Sequence, residues 1–313
     1  MTDAVPAAAT ATTSGSAAHL ETSRGAAIGM MVTAMMLFTL MDSIGKWLSG
    51  FQPVQQVVWG RYFFQFVWML FLLPAYGLGG MTRTSCLHLH IGRGLLVALA
   101  TICLFSAVSM IPLADAYSIT FAAPLIVTIL SIPLLGERVG WRRWSAILLG
   151  FAGVLVVIRP GFNTFHWALL LPLVTASCFA LYQLLTRKAG AIPGERPMPM
   201  LFYMALVGTI AMSCLVPAYW QSVQIEAWVG MAVMGALAAI GHMMLIQALA
   251  KASAVTLSPF IYTQLIWAIL LGYVLFDDWP DFWMLLGGAI IVGSGLFVFF
   301  REAVHRKAPT AGD

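Results

Sequence analysis

Residues 113–161 read LADAYSITFAAPLIVTILSIPLLGERVGWRRWSAILLGFAGVLVVIRPG, and this stretch decides the fold. Two apolar runs, at about 115–135 and 142–158, flank a charged break that contains Glu137. A helix needs roughly 20 mostly apolar residues to cross a bilayer. The stretch therefore predicts two membrane-spanning helices joined by a short loop.

The composition extends this interpretation to the whole chain. Of the 313 residues, 61% are hydrophobic and only 9% are charged, and the mean hydropathy is +0.91. A soluble globular protein carries about 25% charged residues, so most of this surface must face lipid. The apolar runs predict an all-α integral membrane protein with ten transmembrane helices. Their approximate ranges are 25–49, 54–76, 91–111, 115–135, 142–158, 165–186, 199–220, 226–250, 254–276 and 282–300.

The basic residues indicate how the chain is oriented. The net charge of +4 could suggest a nucleic-acid partner, but the Lys and Arg residues are scattered between apolar blocks. They are better explained as topology signals, because cytoplasmic loops are rich in Lys and Arg. With ten spans and a cytoplasmic N-terminus, Lys46 and Arg159 lie outside, Arg61 lies within the second span, and thirteen of the sixteen basic residues lie inside. The thirteen are Arg24, Arg83, Arg93, Arg138, Arg142, Arg143, Arg187, Lys188, Arg196, Lys251, Arg301, Arg306 and Lys307.

This pattern predicts a multi-pass protein of the bacterial inner membrane with both termini in the cytoplasm. Residues 1–24 are rich in Ala, Thr and Ser without periodicity, which is typical of a disordered tail. Residues 301–313 are expected to form a second cytoplasmic tail.

An internal repeat is visible in the charge pattern. Spans three to five resemble spans eight to ten after a shift of roughly 141 residues. Each unit has two spans with a very short connection, an acidic loop, and a third span with Gly near its middle; the loops are Leu135–Arg138 and Phe276–Pro280. Five helices per copy is an odd number, so the second copy must be inverted, as in many transporters that bind substrate between their halves. The predicted repeats are 25–160 and 161–300, around a central cavity, and simple duplication in a scaffold protein is the alternative.

The segment 113–161 resembles the first repeat of the drug/metabolite transporter superfamily, EamA type. The segment 259–280, PFIYTQLIWAILLGYVLFDDWP, is similar to the second repeat, although Asp277 and Asp278 stand where the family pattern has Gly-Glu. The resemblance covers about residues 25–300. It implies ten helices in two inverted repeats and transport by alternating access. The chain looks similar to carriers for riboflavin, S-adenosylmethionine, amino acids or opine-type metallophores, and the resemblance does not select among them.

Polar groups inside the hydrocarbon core are expensive and are functional candidates by default. Asp42 and Lys46 are four residues apart in the first span and share a helix face. Arg61 lies at the same predicted depth in the second span. The two readings that remain open are a structural Asp42–Arg61 ion pair and a substrate site, in which Arg61 binds a carboxylate or phosphate or Asp42 couples protons.

Further cavity candidates come from the other spans, and packing is the alternative explanation for each. Tyr262 and Gln264 differ by about 200° around their helix, so they cannot both face one cavity squarely. The remaining candidates are Gln65, Tyr117, Tyr182, His242 and Trp267.

No catalytic residue, cofactor or metal site is predicted. The chain has no GxxxxGK[ST] phosphate loop, and its four cysteines show no CxxC spacing. The leading hypothesis is a secondary transporter in the lipid bilayer that moves a small organic metabolite across the inner membrane by alternating access, with or without protons. An integral-membrane enzyme acting on a lipid or small headgroup is the alternative, followed by a channel-like or structural protein. The direction of transport and the oligomeric state stay open.

Overall fold

A computed structural model describes residues 11–135, 141–159, 166–251 and 257–307, and every regular element in these ranges is helical. Three short 3-10 helices, at Trp167–Leu170, Val216–Tyr219 and Ser258–Tyr262, precede or follow longer helices. The α-helices are α1 Ala11–Leu48, α2 Val54–Leu70, α3 Leu73–Thr82, α4 Leu87–Val108, α5 Leu113–Thr120, α6 Ala123–Leu135, α7 Trp141–Ile158, α8 Leu171–Gly190, α9 Pro197–Leu215, α10 Ile225–Lys251, α11 Thr263–Phe276 and α12 Phe282–Lys307. Helix α1 therefore begins within the segment predicted as a disordered tail.

Seven helices in the described part of the chain are long and apolar enough to cross a membrane, and eight if the bent α2–α3 pair is one span. The multi-pass helical prediction is confirmed at this level. The number ten is not established by length and composition. Two further apolar segments, Trp144–Ile158 and Phe282–Phe297, are shorter than the roughly 20 residues of a typical span. The predicted loop around Glu137 and the short connection after Lys251 lie largely outside the described residues.

Proline residues break three of the predicted spans. A proline has no N–H and cannot donate to the carbonyl four residues earlier. Pro74 follows the bend of 111° between α2 and α3, and Pro124 follows the break between α5 and α6. Pro259 lies in the 3-10 helix before α11. The breaks in the fourth and ninth predicted spans contact each other. The ring centroids of Phe121 and Tyr262, one at each break, are 5.2 Å apart.

Exposed apolar side chains form stripes on the outside of the bundle. On α11, Ile266, Leu270 and Val274 follow helical spacing, and Ile266 and Val274 are each 63% exposed. A helix that presents a continuous apolar face outward is suited to lipid rather than to water. The opposite faces pack together inside the bundle.

Helices α7 and α12 contact each other through two glycines. A Cβ added at Gly287 would lie 2.7 Å from the Gly153 carbonyl oxygen, and one added at Gly153 would lie 2.9 Å from the Gly287 carbonyl oxygen. Small residues of this kind let membrane helices pack backbone to backbone. This contact joins the fifth and tenth predicted spans.

Polar contacts gather at the two ends of the bundle. At the end named here the Asp278 end, Gln52 and Gln56 donate hydrogen bonds to the carbonyl oxygens of Ser222 and Gln221 at 3.2 and 3.0 Å. At the Glu195 end, the Tyr203 hydroxyl donates to the Thr82 carbonyl oxygen at 2.9 Å. Clefts of about 530 Å³ each lie at these two ends, lined around Gln52 and around Thr84 respectively.

Candidate functional site

Asp42, Tyr117 and Gln264 form a chain of hydrogen bonds across three helices. Asp42 is 4% exposed in α1 and accepts a hydrogen bond from the Tyr117 hydroxyl of α5. That hydroxyl accepts in turn from Gln264 Nε2 of α11, at 3.0 Å. Three of the residues predicted from the sequence therefore meet in one place.

Arg61 lies next to this array but does not form an ion pair with Asp42 among the described contacts. Its Nε contacts Met41 Sδ at 3.2 Å, and its guanidinium carbon lies 4.6 Å from the centroid of the Tyr62 ring. Tyr117, and not the predicted Arg61, is the hydrogen-bond partner of Asp42. The Arg61 charge nevertheless interacts electrostatically with both Asp42 and His242.

Several buried polar atoms on α2 and α11 have no hydrogen-bond partner. They are Arg61 Nη1, both amide atoms of Gln65 and the Trp267 Nε1. Arg61 and Gln65 are one turn apart and share a face of α2, and Trp267 lies three residues after Gln264 on α11. An unsatisfied buried donor or acceptor costs about 1–3 kcal/mol. These atoms are therefore suited to bind a ligand, and they supply mainly donors.

The other predicted candidates are divided between the array and its surroundings. The His242 Nδ1 lies 2.7 Å from the Ala238 carbonyl oxygen, so this nitrogen donates within its own helix. The Tyr262 ring packs on Phe121, with its hydroxyl in the space left by Gly295. Tyr262 therefore contacts Phe121 and α12, whereas Gln264 contacts Tyr117.

Tyr182 belongs to a different cluster, at the Glu195 end. Its hydroxyl lies 3.4 Å from Arg93 Nη2, and its ring centroid lies 5.0 Å from the Arg93 guanidinium carbon. Arg93 also donates to the Thr186 hydroxyl at 2.8 Å. The structure therefore does not bring Tyr182 together with Asp42.

The centre of that cluster is Glu195, which sequence reasoning missed. Its carboxylate accepts hydrogen bonds from the Thr84 hydroxyl at 3.1 Å, the Ser85 N–H at 3.3 Å and His90 Nε2 at 3.0 Å. Burial by itself would raise the pKa of Glu195, but the hydrogen bonds from His90, Thr84 and Ser85 outweigh it and lower the pKa to about 2. The partners of Glu195 are more than 100 residues away in sequence, so no local sequence pattern predicts these contacts.

The ligand-type atoms of Cys86, His90 and Glu195 all lie within 4.8 Å of one another. Arg93 Nη1 donates to His90 Nδ1 at 3.0 Å, since a guanidinium has no acceptor. The ring proton is therefore on Nε2, where a metal ion would need a lone pair. Burial, and also the Glu195 carboxylate, raise the pKa of the Cys86 thiol. The cluster is thus suited to hydrogen bonding between two loops rather than to metal binding.

The apolar helices enclose a buried acidic residue, Asp42, and a buried basic residue, Arg61. This arrangement is typical of a polytopic membrane protein that transports a small molecule. The chain belongs to the EamA-like transporter family, whose model matches residues 25–159 and 166–300. The resemblance drawn from the sequence is thereby confirmed, and the family domain occurs twice.

Several relatives extend over nearly the whole chain. The S-adenosylmethionine uptake transporter of Rickettsia conorii is 27% identical over 282 residues, covering 90% of this chain and 95% of its own. The riboflavin transporter of Rhizobium johnstonii is 29% identical, with 89% and 92% covered. The pseudopaline exporter CntI of Pseudomonas aeruginosa is 24% identical, with 84% and 92% covered. A crystal structure that covers 91% of this chain, at 18% identity and a TM-score of 0.62, has the same fold.

Proposed function

We propose that the protein is a secondary transporter that binds a small organic metabolite between α1, α2, α5 and α11 and exposes it alternately to the two sides of the bacterial inner membrane. The observation that carries this proposal is the set of unpartnered buried atoms on Arg61 and Gln65 of α2 and on Trp267 of α11, the helix whose Gln264 completes the Asp42–Tyr117–Gln264 array. A site that is complete without a ligand would satisfy these atoms internally, since most buried polar groups in folded proteins are paired.

The chemistry of the unpartnered atoms indicates what the metabolite carries. Arg61, Gln65 and Trp267 together offer donors from a guanidinium, an amide and an indole, against one amide acceptor. A carboxylate or a comparable oxygen-rich planar group complements that set, because charge-assisted hydrogen bonds to a guanidinium are the strongest available. The substrate names of the relatives, which include S-adenosylmethionine and riboflavin, support a small organic metabolite of this kind.

The test is counterflow in proteoliposomes loaded with a panel of riboflavin, S-adenosylmethionine, amino acids and metallophores. We expect exchange of at least one compound by the wild-type protein, with an imposed pH gradient distinguishing proton coupling from simple exchange. Arg61→Gln should reduce that exchange at least roughly tenfold, because it removes a charge-assisted hydrogen bond. Arg83→Gln is the matched control, since Arg83 is exposed at the Glu195 end.

Two outcomes contradict the proposal. Absence of exchange for every compound in the panel argues against a carrier, and equal exchange by the Arg61→Gln and Arg83→Gln variants argues against the site. Replacing Asp42 and Arg61 together adds a third comparison. Recovery of exchange in the double variant would make the two residues a structural pair rather than substrate ligands.

The proposed topology has ten spans in two inverted repeats, with both termini in the cytoplasm and the Asp278 end facing the periplasm. The packing of the helices supports it. Ten helical segments result when α2–α3 and α5–α6 are each counted as one, and we number them in chain order. The first segment packs on the eighth, and its counterpart in the second half, the sixth, packs on the third. Likewise, the second segment packs on the eighth, and its counterpart, the seventh, packs on the third. The fifth segment packs on the tenth and the second on the seventh, so these two contacts each join a segment to its own counterpart. Such a pattern is expected for two equivalent halves.

The two basic residues expected on the outside also support this topology. Lys46 and Arg159 both contact acidic residues of the segment 277–281, which the alternating spans place at the same end. A C-terminal reporter and a thiol label introduced in the 277–281 turn test the arrangement. We expect the reporter to be cytoplasmic and the turn to be labelled from the periplasm, and the reverse of either result would overturn the topology.

A further inference from the structure

Lys46 lies one helical turn beyond Asp42 on the same face of α1, between the candidate substrate site and the Asp278 end. Its Nζ donates to Asp278 Oδ2 at 2.5 Å and to the Ile111 carbonyl oxygen at 3.3 Å. The ammonium also lies 4.7 Å from the centroid of the Phe276 ring. One side chain therefore joins α1 to the turn between α4 and α5 and to the loop between α11 and α12.

These contacts link the two halves of the molecule one helical turn from Asp42. Lys46 and Ile111 belong to the first family match, and Asp278 belongs to the second. Along α1, Lys46 is the next residue on this face after Asp42, and the Asp42 carboxylate binds Tyr117 of α5. Lys46 and its contacts therefore lie between Asp42 and the Asp278 end of α1.

The exposure of the ion pairs distinguishes a contact that can open from one that holds the fold together. The Lys46 and Asp278 side chains are 15% and 24% exposed, whereas His90 and Glu195 at the other end are both 0% exposed. A partly hydrated pair loses little when water replaces it, whereas separating a buried carboxylate from all its donors leaves an uncompensated charge. The Lys46 contact is therefore the one suited to break and re-form in each transport cycle.

We propose that Lys46 and Asp278 form a gate that closes the Asp278 end over the substrate site, which rests on the proposed transport function. The neighbouring Arg159–Asp281 ion pair has a different role. It joins the end of α7 to the start of α12, and these two helices are already packed together at Gly153 and Gly287. That pair anchors the loop, while Lys46 closes it onto α1.

The test measures access to the site from the Asp278 end. A cysteine is introduced at Ser43, which is 1% exposed, in a full-length protein whose four native cysteines are replaced by alanine. Right-side-out vesicles are treated with a membrane-impermeant thiol reagent, and the labelling rate is recorded. We expect Lys46→Gln and Asp278→Asn each to raise that rate by roughly threefold to fivefold, because each removes a partly hydrated ion pair.

The combined exchange Lys46→Asp and Asp278→Lys should return the rate toward that of the parent, since it restores the pair. Arg159→Gln is the matched control and should leave the rate unchanged. An unchanged rate in Lys46→Gln, or an equal increase in Arg159→Gln, would overturn the gate. Labelling does not require a substrate, so its result is separate from counterflow. Exchange with unaltered labelling contradicts the gate alone, and altered labelling without any exchange contradicts the transport function alone.

Discussion

The contact between α7 and α12 gives a stability prediction with a control in the same helix. A Cβ at Gly287 would meet Val157 Cγ2 at 2.5 Å and the Gly153 carbonyl oxygen at 2.7 Å, whereas a Cβ at Gly293 would meet nothing within 4 Å. The carbonyl oxygen belongs to the backbone of a helix and cannot rotate away. Gly287→Ala therefore forces the two helices apart, while Gly293→Ala adds a methyl group to open space.

The magnitude follows from two opposing terms. Alanine is favoured over glycine in a helix interior by about 1 kcal/mol, and this gain applies at both positions. Overpacking a tight contact costs about 1–3 kcal/mol, and this term applies only at Gly287. The free energies of unfolding of the two variants should therefore differ by about 2 kcal/mol, with Gly293→Ala the more stable.

The assay is thermal unfolding of the purified variants in one detergent, followed by circular dichroism at 222 nm. A difference of about 2 kcal/mol corresponds to roughly 3 °C in Tm for a chain of this size. Gly153→Ala should resemble Gly287→Ala, because the contact is reciprocal. If Gly287→Ala melts at or above the temperature of Gly293→Ala, the close approach of α7 and α12 is refuted.

The remaining predictions concern the two polar clusters. Tyr117→Phe keeps the ring but removes the hydroxyl that donates to Asp42 and accepts from Gln264. Counterflow at equal reconstituted amounts of protein should fall roughly tenfold, because two buried groups lose a hydrogen-bond partner. Exchange at the wild-type rate would contradict this role of Tyr117. Glu195→Gln should lower the Tm by the same amount at pH 6 and pH 8. The pKa of Glu195 is lowered to about 2 in the fold, so its contribution is fully present above its unfolded pKa of about 4.3 and is lost as the pH falls toward 2. The difference between wild type and Glu195→Gln should therefore shrink below about pH 4, and a difference that grows on acidification would contradict the hydrogen-bonded carboxylate.

Sequence reasoning found most of the residues of the candidate site but not their partners. Asp42 and Arg61 were matched by their depth in consecutive spans, and depth follows from counting residues along a helix of known rise. Which way each side chain faces around the bundle depends on how all the helices pack. Tyr117 therefore bonds Asp42 in the structure, while Arg61 lies against Tyr62 with one nitrogen unpartnered.

The sequence by itself determined that the chain is a multi-pass helical membrane protein and that its family domain occurs twice. These properties depend on hydrophobicity, charge and backbone geometry, all of which act over a few neighbouring residues. Only the tertiary structure decided that Lys46 donates a hydrogen bond to Asp278, 232 residues away. The same is true of the hydrogen bonds that Glu195 accepts from the segment before α4. Such pairs depend on which helices become neighbours, and that is fixed by the packing of all the helices together.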